Sequence, residues 1–128
     1  MRRLTVLGLL LALAACAGAG SAGGQRYAVF FPTASAALDD VARDTVTQAA
    51  AWANDHPAAV VHVIGFADPE GSTQVNRDLS STRALVVQDM LVKDGVTRER
   101  IHVEAAGSVG FAMDSQESRK VTISLGNP

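Results

Sequence analysis

Residues 60–95 read VVHVIGFADPEGSTQVNRDLSSTRALVVQDMLVKDG. The run from Val60 to Phe66 is continuous and rich in β-branched residues, which predicts a buried central strand. Gly65 to Gly71 then reads as a loop. Ser80 is a good N-cap, after which Ala84, Val87 and Leu91 fall on one helical face, and Gly95 supplies the terminating turn. A buried strand, a loop and an amphipathic helix in that order predict an α-on-β layer.

The flanks extend this unit. Arg26-Tyr27-Ala28-Val29-Phe30-Phe31 is apolar, β-prone and stopped by Pro32, so it predicts a first strand. Ser35 offers an N-cap oxygen for a helix on which Leu38, Val41, Ala42, Val46, Ala49 and Ala53 keep helical spacing. Asp39 and Asp40 sit where the dipole favours them, and Pro57 ends the run. Ile101 to Ala106 predicts a third strand, Gly107 to Glu117 a loop, and the alternation of Val121, Ile123 and Leu125 a half-buried fourth strand. The order β-α-β-α-β-β predicts an α+β fold, a two-layer α/β sandwich with both helices on one face of a mixed four-stranded sheet. Its core is built from Val, Ile, Leu and Ala around Trp52 and a few Phe side chains, and residues 26–128 form one domain.

The first fifteen residues have a different character. Met1-Arg2-Arg3 is cationic, Leu4 to Leu13 is apolar, and Leu13-Ala14-Ala15-Cys16 is a small-residue cleavage site. An apolar run about half the roughly twenty residues needed to span a bilayer predicts a removable leader over 1–15. Here the chain resembles the bacterial lipoproteins, whose lipobox matches Leu13 to Cys16. That resemblance implies that Cys16 is acylated, and Ala17 after it implies the outer membrane; an ordinary signal peptide with an incidental cysteine is the alternative. Cys16 is the sole cysteine, which excludes an internal disulfide. Residues 17–25 lack bulk and periodicity and predict a flexible tether from the lipidated Cys16, spanning roughly 30 Å at the extended limit.

A second resemblance covers Tyr27 to Leu125. Gly65, Asp68, Gly71, Asn76, Leu79, Ser80, Arg83, Ala84, Val87 and Leu91 hold the spacing of the OmpA-like peptidoglycan-binding domain family, of the peptidoglycan-associated lipoprotein type. Ser118-Arg119-Lys120-Val121 resembles its closing motif. The resemblance implies non-covalent binding of the diaminopimelate in the peptidoglycan stem peptide, with Asp68 on the ammonium and Arg83 on the carboxylate through its guanidinium fork. With the helix starting at Ser80, Arg83 falls in its first turn. Both groups then project from the sheet edge, and the helix-start N–H groups are free to hold the ligand carboxylate. A cation in that turn opposes the helix dipole, so a structural salt bridge to Asp68 or Asp78 is the competing reading. Asn76 and Leu79 are expected to shape the loop and touch the stem peptide, with a purely turn-stabilising Asn76 as the alternative. Arg119 is expected to border the pocket or to be a solvated strand-end charge. Phe66 and Ala67 stand where the family has His and Thr, and Lys120 where it often has a second Arg.

Charge narrows the partners. The 128 residues carry a net charge of −2, and without Arg2 and Arg3 nine cationic side chains face thirteen acidic ones, which argues against nucleic acid. His56, His62 and His102 lack metal-ligand spacing, His62 being expected as a packed core residue. Asp68 and Glu70 share one short loop, which does not place two acids across a scissile bond. No enzymatic activity and no cofactor is therefore expected. The expected setting is the periplasmic face of the outer membrane, tethered to the cell wall. The competing expectation is an envelope scaffold, or a lipoprotein of a secretion or motor complex, that uses the fold for protein contacts alone.

Overall fold

The computed structural model describes residues 24–68, 71–108 and 118–126. Its elements are β1 (Gln25–Phe30), α1 (Asp40–Asp55), β2 (Val60–Ala67), α2 (Thr73–Lys93), β3 (Ile101–Ser108) and β4 (Lys120–Gly126), with a 3-10 turn over Arg98–Arg100. The leader and Cys16 lie outside the described residues. The sheet order is β1-β4-β2-β3. β4 runs antiparallel to both its neighbours, while β2 and β3 are parallel and are joined through α2, as a parallel pair requires. The expected α+β order and mixed four-stranded sheet are therefore what the chain forms.

Alternation decides which face is buried. Val61 and Val63 of β2 and Val121, Ile123 and Leu125 of β4 pack with Val29 against Ala42, Val46, Ala49 and Ala53 of α1 and Ala84, Val87 and Leu91 of α2. β2 is central, but the expectation of a buried run with His62 packed in it is corrected. His62 is exposed and stacks on His102 across the parallel pair, at 5.4 Å between ring centroids, and Ile64 and Phe66 are only half-buried. Both helices cover the same face, so the other keeps its polar residues in spite of the β-branched run. β1 also starts at Gln25, inside the stretch read as tether, because Gln25 pairs with Leu125 of β4.

Both helix starts differ from the sequence reading. The N-cap of α1 is Asp39, whose carboxylate accepts the Ala42 N–H at 2.8 Å; Ser35 is spent on a local turn, accepting from Ala37 N–H. α2 starts at Thr73, seven residues before Ser80, with Ser72 accepting the Val75 N–H at 3.1 Å. Its first two turns are mostly polar, so apolar periodicity does not reveal them.

The end of α2 is as expected. Gly95 (φ +100°) donates to the Val92 carbonyl and Val96 to that of Leu91, while Leu91 and Val96 are both buried. This is a Schellman ending, in which a left-handed residue satisfies the last carbonyls and an apolar contact seals it. Gly95→Ala is expected to cost about 1–2 kcal/mol. That corresponds to a melting temperature lower by about 5–10 °C, and an unchanged melt would contradict the assignment. At the other helix, α1 has no basic residue in its last turn. Arg100 supplies the missing charge from the 3-10 turn, donating to the carbonyls of Ala53, His56 and Ala59.

Candidate functional site

Where β2 meets α2, the two backbones approach closely. A Cβ on Gly65 would lie 2.1 Å from the Ser80 carbonyl oxygen, so this position requires glycine. Ser80 is fully buried; its hydroxyl donates to the Arg77 carbonyl and accepts the Gly107 N–H at 3.1 Å. Read from sequence as a cap, Ser80 is instead a brace between α2 and β3. Just beyond, the β2–β3 register slips: Gly65 pairs with Ala105 but Phe66 with Gly107. Such a bulge turns the end of the strand, and Asp68 leaves β2 there.

Asp68, Asn76 and Leu79 line one hollow of about 260 Å³, together with Thr33, Ala34, Gly71 and Val75. Asn76 and Leu79 reach it from the first two turns of α2 and not from a loop, because the helix starts early. The opposite wall is a turn after β1, closed by the Ser35 N–H on the Pro32 carbonyl, with Ala34 at φ +50°. A left-handed alanine stores strain of about 1 kcal/mol that its surroundings must hold. Thr33, Ala34 and Val75 were not identified from sequence; Pro32 signals a turn there, but nothing local signals that the turn faces α2.

Arg83 does the holding. It lies mid-helix in α2, not in a first turn, and is fully buried, not on a rim. Its Nε donates to the Ser35 carbonyl at 2.8 Å, Nη2 to that of Pro32 at 3.1 Å and Nη1 to that of Phe66 at 3.2 Å, and its guanidinium lies 5.3 Å from the centre of the Phe31 ring. It therefore ties both ends of the Pro32–Ser35 turn to the strand that delivers Asp68. Burial pulls its pKa below the ordinary arginine value; Asp68 raises it and Arg119 lowers it further. It stays charged, as arginine does in proteins. Neither competing salt bridge forms among the described residues. Asp78 accepts instead from Gln74, and the expected opposition to the helix dipole disappears with the revised helix start.

The charged neighbour of Asp68 is Arg119. Its Nη1 stands 3.7 Å from one carboxylate oxygen, and the Ser118 hydroxyl donates to the other. Arg119 Nε is buried and has no hydrogen-bond partner among the described residues. The main chain pins this corner, since Phe31 N–H donates to the Arg119 carbonyl at 2.8 Å. Lys120 lies over the Phe66 ring at 5.9 Å. Glu70 lies outside the described residues, among which no three His, Cys, Asp or Glu side chains are grouped to hold a metal. His56 stacks on Trp52 at 3.8 Å.

The hollow thus lies between a strand end and a helix start, on a mixed sheet backed by two helices. The OmpA family model matches residues 30–122, and the chain belongs to the OmpA family. It is 32% identical over 103 residues to the probable lipoprotein YiaD of Escherichia coli (strain K12), covering 76% of this chain and 47% of that one. It is 31% identical over 102 residues to the peptidoglycan-associated lipoprotein of Agrobacterium fabrum, covering 74% of this chain and 58% of that one. The chain thus spans about half the length of these curated relatives. Its fold is that of the crystal structure of the peptidoglycan-associated lipoprotein from Burkholderia pseudomallei, with a TM-score of 0.71 and 22% identity over 77% of this chain and 89% of that one.

Proposed function

We propose that this protein binds peptidoglycan non-covalently through the diaminopimelate of the stem peptide. In this reading Cys16 is lipidated, the domain faces the periplasm, and the chain tethers the outer membrane to the cell wall without catalysing a reaction. The observation that carries the reading is the convergence of Asp68, Asn76 and Leu79 on one hollow. These three occupy positions of the family motif, and their relatives include lipoproteins named for peptidoglycan association. Asp68 accepts the ligand's ammonium, the buried Asn76 offers an amide, and Leu79 with the exposed Val75 faces the methylene chain. Arg83 acts from beneath, holding the walls and adding positive charge near Asp68. No described helix is long and apolar enough to cross a membrane, so membrane attachment in this reading rests on acyl chains, each contributing about 0.8 kcal/mol per buried methylene.

Co-sedimentation with purified diaminopimelate-type sacculi tests this. Full-length protein is expected to sediment and to be released by free diaminopimelate. Asp68→Ala, folded by circular dichroism, is expected to bind about ten- to hundredfold more weakly, the value of a charged hydrogen bond. Unchanged sedimentation of Asp68→Ala would remove the site assignment. Failure of the wild type to sediment would favour the scaffold reading.

A further inference from the structure

We propose that two copies of this chain pair edge to edge through β1, antiparallel about Ala28, to form one continuous eight-stranded sheet. β1 is an end strand and has β4 on one side only. In an antiparallel pair, successive residues turn their main-chain groups alternately towards the neighbouring strand and away from it. Phe31 N–H bonds to the Arg119 carbonyl, and the register is unbroken from there to Gln25, so Val29, Tyr27 and Gln25 also face β4. The N–H and C=O groups of Arg26, Ala28 and Phe30 point outward, and no main-chain partner among the described residues takes them up. The side chains of these three share the face away from the helices and are exposed.

An unpaired edge is a template for another strand, and proteins commonly blunt it. The opposite end strand, β3, is blunted: its register with β2 slips after Gly65, Gly107 stands at φ +69°, and Glu104 is an exposed charge. β1 is not. Its pairing is regular, it contains no proline, and its single charge is Arg26. A small hollow of about 70 Å³ lies between Ala28 and Phe30 of β1 and Val41 and Thr45 of α1, leaving room beside the edge. Two of the four exposed large apolar side chains among the described residues, Phe30 and Val41, line it.

The residues at the outward positions select the occupant. Centred on Ala28, the pairing sets Arg26 opposite Phe30 of the second copy and Phe30 opposite its Arg26. Each guanidinium then lies on an aromatic ring, and all three outward residues of each strand gain main-chain partners. Moving the centre towards Phe30 brings Pro32 into the pairing, which has no N–H to give. Moving it to Arg26 opposes like charges, and any move that way carries Phe30 past the start of the other strand at Gln25. The edge is thus complementary to itself in one register, as a two-fold interface must be. The paired sheets carry two copies of the hollow beside Asp68, and two such sites hold a repeating polymer more firmly than one. That consequence alone rests on the peptidoglycan reading.

The test is sedimentation velocity on full-length protein in detergent across a concentration series, with each variant checked for folding by circular dichroism. Wild type is expected to pass from monomer to dimer as concentration rises. Phe30→Lys sets a cation opposite Arg26 and is expected to weaken the dimer about ten- to hundredfold, whereas Phe30→Glu sets a carboxylate there and is expected to keep it. Adding Arg26→Glu to Phe30→Lys is expected to restore pairing. An interface that only buried Phe30 would be lost in both single variants and not restored, and an interface elsewhere would survive them all. Either result overturns the inference, as does a wild type that stays monomeric at every concentration. None of these outcomes bears on sacculus binding through Asp68, which is read in its own assay.

Discussion

Gly65→Ala is expected to remove a large share of the protein's margin of stability, lowering the urea midpoint by about 2 M. The new methyl would meet the Ser80 carbonyl oxygen at 2.1 Å, its carbon at 2.9 Å and the Ala84 Cβ at 3.2 Å. Two of these are main-chain atoms of a helix that also packs on β3, so no side chain can swing aside. Relief requires α2 to lift from β2, which opens the contact between Val61, Val63, Val87 and Leu91. Overpacking of a rigid core costs about 1–3 kcal/mol, and backbone-limited cases lie at or above the upper end. Against a total of about 5–15 kcal/mol that is a large share. With a urea slope of about 1–3 kcal/mol per molar, a loss of about 3 kcal/mol gives the stated shift. A midpoint within experimental error of wild type would mean that the strand and helix are farther apart than described.

Arg83→Met is expected to be comparably damaging, at about 3–5 kcal/mol, by a different route. Methionine fills much of the volume but offers no donors. The carbonyls of Pro32, Ser35 and Phe66 then lose buried, charge-assisted partners, the costly way to break such an arrangement. Because two of the three belong to the turn that carries the left-handed Ala34, the loss is also local. Amide exchange at Ser35, whose N–H closes that turn onto Pro32, is expected to accelerate more than exchange in β4. Equal acceleration everywhere would mean that Arg83 stabilises the domain without holding the turn. A change below about 0.5 kcal/mol would show that the three bonds contribute little.

Much of the architecture was readable from residue patterns. The strands showed through apolar runs and alternation, and Gly95 marked its helix end because a left-handed residue leaves a chemical signature. The helix starts did not show. Ser72 and Ser80 are equally good caps by type, and the polar run from Thr73 to Asp78 gives no periodicity to choose between them. That one ambiguity propagated, moving Arg83 from a first turn to mid-helix and so from an expected rim position to the interior. Sequence spacing named Asp68, Asn76 and Leu79, and these three line one hollow. It could not tell an arginine that faces solvent from one whose donors are taken by carbonyls, because those carbonyls come from residues far away in the chain. The Pro32–Ser35 wall was invisible for the same reason, and His62 was misjudged because a β-branched run does not reveal whether one face or both are covered.

The last of the described strands has a place in the middle. β4 lies between β1 and β2, so Gln25 finds its partner only in Leu125. A polypeptide delivered from its amino end can wind its helices and can join β2 to β3, but β1 has no strand to pair with until residues 120–126 arrive. Closing so wide a ring of chain is slow relative to local contacts. Until that moment the main-chain edge of β1 is open to water and to other molecules. The order of the strands thus makes closure of the sheet wait for β4, whatever has already formed around α1 and α2.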